Sequence, residues 1–282
     1  MAASSSGPAP RPFISRHPEV LRDFGCATET RLTRRWTATE GSRIHSWSSA
    51  ESRGGVPFVL VHGLVISSLY MLPLAECLTL DHEVHAVDLP GFGRSEAPAG
   101  ALTIPQLAEA LTSWLAASGI DRCHLVANSL GCQIAAHVAA RAAPRIASLT
   151  LIGATIDPAA PHVLSQFWRL LWDAFHEPPR LWANWAVDFC RAGPVRAVRT
   201  TGHMFRDRIE EQLPEITART LVVRGDNDPT MPSAWADRIV ELLPHGTLLN
   251  VPGHAHCVHY SAPMIVAEAA ANHAAHHSSN SP

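Results

Sequence analysis

Three kinds of side chain with the reactivity for acyl transfer stand directly after apolar runs. Ser129 lies in Ala127-Asn128-Ser129-Leu130-Gly131, between the run His124–Ala127 and a stretch of small residues with helical character. Asp226 and Asp228 lie in Arg224-Gly225-Asp226-Asn227-Asp228-Pro229, and His254, His256 and His259 lie in the stretch that opens Val251-Pro252-Gly253. A serine hydroxyl is a weak nucleophile at neutral pH. It needs a base to take its proton, and the base needs a partner that fixes its tautomer and stabilises its charged form. Histidine suits the base because its pKa lies near working pH. Serine has a second ordinary use at this position, as a helix N-cap, and A-x-S-x-G alone is a common pattern. A sharp strand–turn–helix elbow brings the residues two before and two after the serine close together, so both must be small, as Ala127 and Gly131 are.

The elements that would position these groups are readable from periodicity. Residues 31–38 and 43–48 read as two short antiparallel strands split by Glu40-Gly41. Apolar runs at Val56–Val61, Glu83–Leu89, His124–Ala127, Ile146–Ile152, Thr220–Arg224 and Thr247–Val251 read as strands buried on both faces. Helical patterns near 67–79, 104–118, 130–143, 233–243 and 261–276 fall between them. Strands alternating with helices of this length predict crossover units, and hence an α/β fold with a mostly parallel sheet. The rhythm breaks between about Ala154 and Arg219, a stretch rich in Trp, Arg and Pro that reads as helices at 161–175, 178–191 and 194–212. A helical insertion there is a natural lid over the carboxyl edge of the sheet, where open α/β sheets bind ligands.

With these elements in place, the sequence resembles the α/β-hydrolase fold superfamily from about Arg31 to Asn272. Val61-His62-Gly63-Leu64 is similar to the family's His-Gly turn, and Asp88-Leu89-Pro90-Gly91-Phe92-Gly93-Arg94-Ser95 to its D-x-x-G-x-G-x-S turn. The segments around Asp228 and His256 resemble its acid and base loops, and the chain order Ser, Asp, His matches. The resemblance implies an eight-stranded, mostly parallel sheet flanked by helices, with a helical cap after the sixth strand. It implies core segments 26–154 and 216–276 and a cap at 155–215; composition, not the resemblance, predicts flexible tails at 1–25 and 277–282. Ser129 is then the nucleophile and His256 the base, by the family's G-x-x-H spacing from Gly253; Asp228, directly before proline, is the acid. Asp226 and His254 are their rivals. The backbone N–H groups of Leu64 and Leu130 are the candidate oxyanion donors. Asn128, Trp168, Trp172 and His259 are candidate pocket residues.

Composition narrows the function. A net charge of -3 gives no electrostatic footing for nucleic acid, and no apolar run is long enough to span a membrane. Residues 1–16 are rich in Ala, Ser and Pro and lack the apolar stretch of a secretory signal. The six cysteines include no C-x-x-C pair, so reduced, buried thiols in a cytoplasmic protein are expected. His273, His276 and His277 read as a solvated tail, and no metal or cofactor is expected. The expected activity is hydrolysis of an ester or lactone of an uncharged hydrophobic small molecule. Carbon–carbon bond hydrolysis of a diketone-like acid, and a non-hydrolytic receptor on the same scaffold, are the alternatives.

Overall fold

The apolar runs do become strands of one sheet. The computed structural model describes residues 31–50, 52–159, 169 and 179–275. Its strands are β1 (Leu32–Ala38), β2 (Arg43–Ser49), β3 (Phe58–Val61), β4 (Val84–Val87), β5 (Cys123–Asn128), β6 (Ile146–Ile152), β7 (Thr220–Gly225) and β8 (Gly246–Val251). They lie in the order β1-β2-β4-β3-β5-β6-β7-β8. β1 and β2 pair antiparallel, as do β2 and β4; β4-β3-β5-β6-β7-β8 are parallel neighbours. The central strands β3, β4 and β6 are buried at every residue, which is why they read as unbroken apolar runs.

Around the sheet lie α1 (Leu72–Leu78), α2 (Ile104–Ala117) and α3 (Leu130–Arg141). Between β6 and β7 the described residues include α4 (Pro179–Ala192), α5 (Pro194–Arg206) and α6 (Ile209–Gln212). The chain closes with α7 (Ser233–Leu242), α8 (Val258–Ser261) and α9 (Pro263–Ala275). Alternate residues of β3 feed two cores: Val59 and Val61 pack with Leu111, Trp114 and Ile134 from α2 and α3, whereas Phe58 and Leu60 pack with Leu74 and Val266 from α1 and α9. Each such leucine contributes about 1.5–3 kcal/mol through burial. Leu60→Ala, at the sheet centre, would cost about 2–5 kcal/mol.

Four expectations need correction. The helix expected at 67–79 opens as a 3-10 turn at Ser68–Met71 before α1. The helix expected at 194–212 breaks at Asp207, where ψ is 138°. There the side-chain amide of Gln133 donates to the Met204 and Asp207 carbonyls, and His137 Nε2 lies 2.6 Å from Asp207 Oδ1. Side chains of α3 thus meet the end of α5. At the C-terminal end, Ala262 is forced out of helical geometry before Pro263, separating α8 from α9. His273 is not solvated but buried, on the α9 stripe that also buries Val266, Ala270 and Ala274. Among the described cysteines, Cys77, Cys123, Cys132 and Cys257 are buried thiols, while Cys190 is exposed on α4. The tails expected at 1–25 and 277–282, the helix expected at 161–175 apart from Arg169, His276, His277, Trp168 and Trp172 lie outside the described residues.

Candidate active site

Ser129 joins β5 to α3 with φ 57° and ψ −123°. That left-handed backbone is costly for a residue with a side chain and marks a strained turn. Ser129 makes no side-chain cap to α3, so the helix-capping use of a serine does not apply. It remains partly exposed between buried Asn128 and buried Leu130. The turn needs a glycine at 131: a Cβ there would stand 2.7 Å from the His62 carbonyl oxygen and 2.8 Å from that of Val61. Ala127 is fully buried, so its methyl fits where many such turns carry glycine.

The loops after β7 and β8 bring an acid and an imidazole together. His256 Nδ1 lies 2.8 Å from Asp228 Oδ2 and 2.8 Å from Thr230 Oγ1. The Thr230 hydroxyl and backbone N–H both donate to Asp228 Oδ1, each at 2.7 Å, and the Met231 N–H adds a longer contact of 3.2 Å. Burial opposes the charge on Asp228, but His256 and the Thr230 donors outweigh it and hold the carboxyl below the usual carboxylate range. With that carboxylate ionised, the imidazole proton belongs on Nδ1, which leaves Nε2 as the basic nitrogen.

The serine turn and the imidazole share one anchor. The Ser129 N–H donates to the Ile152 carbonyl at 2.9 Å. The next residue, Gly153, packs so closely under His256 that a Cβ on it would stand 2.8 Å from the ring. The His-Gly turn completes the group. A Cβ on Gly63 would lie 3.1 Å from Ser129 Cβ, so Leu64 follows a residue seated against the nucleophile. Leu130 opens α3, where the first-turn amides have no intrahelical acceptor. His62 itself is buried away from chemistry: its Nδ1 donates to the Gly63 carbonyl at 2.9 Å and its Nε2 accepts from the Leu89 N–H at 3.0 Å. Burial pushes its pKa down, against the opposing pull of Asp88 and the Gly63 carbonyl.

The rivals are placed elsewhere. Asp226 Oδ1 accepts from the Gly253 N–H at 2.7 Å, stapling the two loops together at their exposed rim. His254 Nδ1 pairs with Ser261 Oγ at 2.9 Å. Two candidate pocket residues are struts rather than lining. Asn128 spends its amide on Tyr70, Ile152 and His256, and His259 is fully buried with its ring edge-to-face against Tyr70, centroids 4.6 Å apart. Burial, and secondarily the nearby His256, push His259 down to about 3, so it is neutral at working pH. Sequence reasoning missed Thr230 and Tyr70. Thr230 had a faint signal, as the polar residue of an Asp-Pro-Thr turn; Tyr70 had none, being one more apolar position in an expected helix. Among the described residues, no group of three or more His, Cys, Asp or Glu side chains is placed to hold a metal. No described helix is long and apolar enough to cross a membrane.

Comparison with known proteins agrees with this fold. A family model described as "alpha/beta hydrolase fold" matches residues 56–177, and one described as "TAP-like protein" matches residues 181–273. A protein of Stutzerimonas stutzeri named as a carbamate hydrolase, RutD, is 29% identical over 234 residues, covering 73% of this chain and 87% of its own. A bacterial membrane phospholipase A superposes with a TM-score of 0.78 at 22% identity, covering 89% of this chain and 88% of its own. A thermophilic esterase from Thermogutta terrifontis superposes with a TM-score of 0.72 at 19% identity, covering 85% and 97%. Sheet order and these matches agree, and the chain has the α/β-hydrolase fold.

Proposed function

We propose that this protein is a serine hydrolase that cleaves an ester or lactone of an uncharged, hydrophobic small molecule through an acyl-enzyme. Ser129 Oγ attacks the carbonyl carbon as its proton passes to His256 Nε2. The oxyanion forms against the N–H groups of Leu64 and Leu130. Collapse expels the alkoxide, which takes the proton from His256 and leaves as an alcohol. A water then gives its proton to His256 and attacks the acyl carbon, and Ser129 leaves with that proton. Asp228 keeps the imidazole in the reactive tautomer and stabilises its charged form.

One observation carries this reading: a buried Asp228–His256 contact of 2.8 Å beside a serine held at positive φ. The similar proteins named above carry the names of a carbamate hydrolase, a phospholipase A and an esterase, which supports a hydrolytic reading. An uncharged substrate fits the arginines of the helical region. Arg169 is bound to Asp157, Arg196 to the Pro98 and Gly100 carbonyls, and Arg208 to Glu210. Arg191 lies beside Asp188. The carbon–carbon hydrolase reading needs a lid arginine free to bind a carboxylate; these four are engaged elsewhere, and Arg199 and Arg206, both exposed on α5, are the described arginines on which that reading would rest. The test is turnover of p-nitrophenyl butyrate. Ser129→Ala should lower kcat by about 10⁴-fold or more; turnover near the native rate would reject the mechanism.

A further inference from the structure

The hydroxyl of Tyr70 sits where three loops of the candidate site meet. It accepts a hydrogen bond from the Gly63 N–H at 2.6 Å and donates one to Asn128 Oδ1 at 2.7 Å. The amide orientation of Asn128 follows, because its Nδ2 faces two acceptors: the Ile152 carbonyl at 3.1 Å and the His256 carbonyl at 3.4 Å. Every donor in the chain therefore has one assignable direction. Gly63 directly precedes a candidate oxyanion donor, Asn128 directly precedes the nucleophile, and His256 is the base. Both Tyr70 and Asn128 are buried, 2% and 1% exposed, so neither touches substrate in this arrangement.

Gly63 is also gripped from both sides. The position of its missing Cβ is 2.9 Å from the Tyr70 hydroxyl and 3.1 Å from Ser129 Cβ. The loop that follows it carries a further constraint, Val65 at φ 53°. An oxyanion donor is effective only within a narrow range of distances from the developing charge, and small displacements of reacting groups are costly in rate. The Tyr70 hydroxyl thus fixes the height of the His62-Gly63-Leu64 segment above Ser129.

We propose that Tyr70 is a positioning residue for the reaction, which sets the oxyanion amide of Leu64 against Ser129 through the Gly63 N–H and Asn128. The assignment rests on the serine-hydrolase reading above. It predicts an effect confined to the transition state. In Tyr70→Phe the ring and its packing stay and only the hydroxyl goes. On enzyme titrated for active serine, kcat for p-nitrophenyl butyrate should fall about 10–100-fold, less than loss of a whole oxyanion donor, with KM within about twofold. The inhibition constant of an alkyl boronic acid, which mimics the tetrahedral oxyanion, should weaken by the same factor as kcat/KM, whereas binding of butyrate should be unchanged. A merely structural role would lower thermal stability and titratable serine without this split.

The chain has two tyrosines. Biosynthetic 3-fluorotyrosine in a Tyr260→Phe background therefore reaches Tyr70 alone and alters its hydroxyl without removing it, should Tyr70→Phe fold poorly. There the expected result is a changed kcat at unchanged KM. Native kcat per active serine in the variant that folds, or equal losses in boronate and butyrate binding, overturns the assignment. Ser129→Ala run alongside separates the two levels: activity that survives in Ser129→Ala overturns the hydrolase reading itself, while activity abolished there but native in Tyr70→Phe overturns only the role of Tyr70.

Discussion

Two buried histidine–aspartate contacts of equal length occur in this molecule. His256 Nδ1 lies 2.8 Å from Asp228 Oδ2, and His45 Nδ1 lies 2.8 Å from Asp88 Oδ2. Both carboxyls are held below their usual range against the opposing cost of burial. Their surroundings differ. Asp228 and His256 stand on loops after β7 and β8, beside the strained serine turn. His45 lies within β2, its ring edge-on to Trp36 and Trp47 at centroid distances of 4.9 and 5.6 Å. Asp88 also accepts from the Ser68 N–H and hydroxyl and from the Arg94 N–H, at 2.6–2.9 Å. A second pair of this kind therefore welds the D-x-x-G-x-G-x-S turn to β2 and to the loop after β3. The pair chemistry is common to both regions; what distinguishes a reactive site is what the imidazole faces and whether the backbone beside it is strained.

This contrast can be broken most forcefully at the two aspartates. Asp228→Asn should lower kcat by about 10⁴-fold while the protein stays folded, because the imidazole loses its tautomer control. Asp88→Asn should do the reverse: a stability loss of about 1–3 kcal/mol in urea unfolding, from replacing a buried carboxylate that accepts from Ser68 and Arg94 and meets the His45 ring, with kcat per folded molecule near native. An equal loss of kcat in both variants would erase the distinction.

His259 sharpens it through pH. Its folded pKa is depressed to about 3, so below about pH 6.5 the unfolded chain binds a proton that the folded chain declines. Stability from this group is therefore complete above pH 6.5 and is lost as pH falls toward 3. Replacing it should remove that dependence: His259→Phe should lessen the stability loss between pH 7 and pH 5 by about 2 kcal/mol relative to native protein. Parallel curves for the two proteins would show that His259 titrates normally. The smallest effect belongs to the rival base. His254→Ala removes only a contact to Ser261, and should shift stability by about 0.5 kcal/mol at most with kcat unchanged.

The legibility of the molecule follows the same division between local and long-range causes. Central strands were readable because burial on both faces leaves an unbroken apolar run, as at Ile146–Ile152. The serine turn was readable because its steric demand is met by neighbours in the chain, Ala127 and Gly131. The aspartate loop after β7 and the histidine loop after β8 were readable as motifs, yet choosing Asp228 over Asp226 and His256 over His254 needed the family pattern, since each pair is chemically equipped for its role. What periodicity missed is set by tertiary contact. The end of α5 lies at Asp207 because Gln133 and His137, far away in sequence, meet its last turn. Tyr70 sits among apolar neighbours on a helical pattern, and nothing local marks the hydroxyl that reaches Gly63 and Asn128. Asn128 read as pocket lining because it borders the nucleophile; its side chain turns inward to bind the loops together.

On the proposed mechanism the imidazole of His256, and not that of His45, activates Ser129. The direct measurement is labelling by a fluorophosphonate probe, followed by mass spectrometry of the peptides. The account predicts a single adduct on Ser129, a labelling rate lowered by about 10³-fold or more in His256→Ala, and a native rate in the folded fraction of His45→Ala. An adduct on another residue, or labelling of His256→Ala at the native rate, would contradict it.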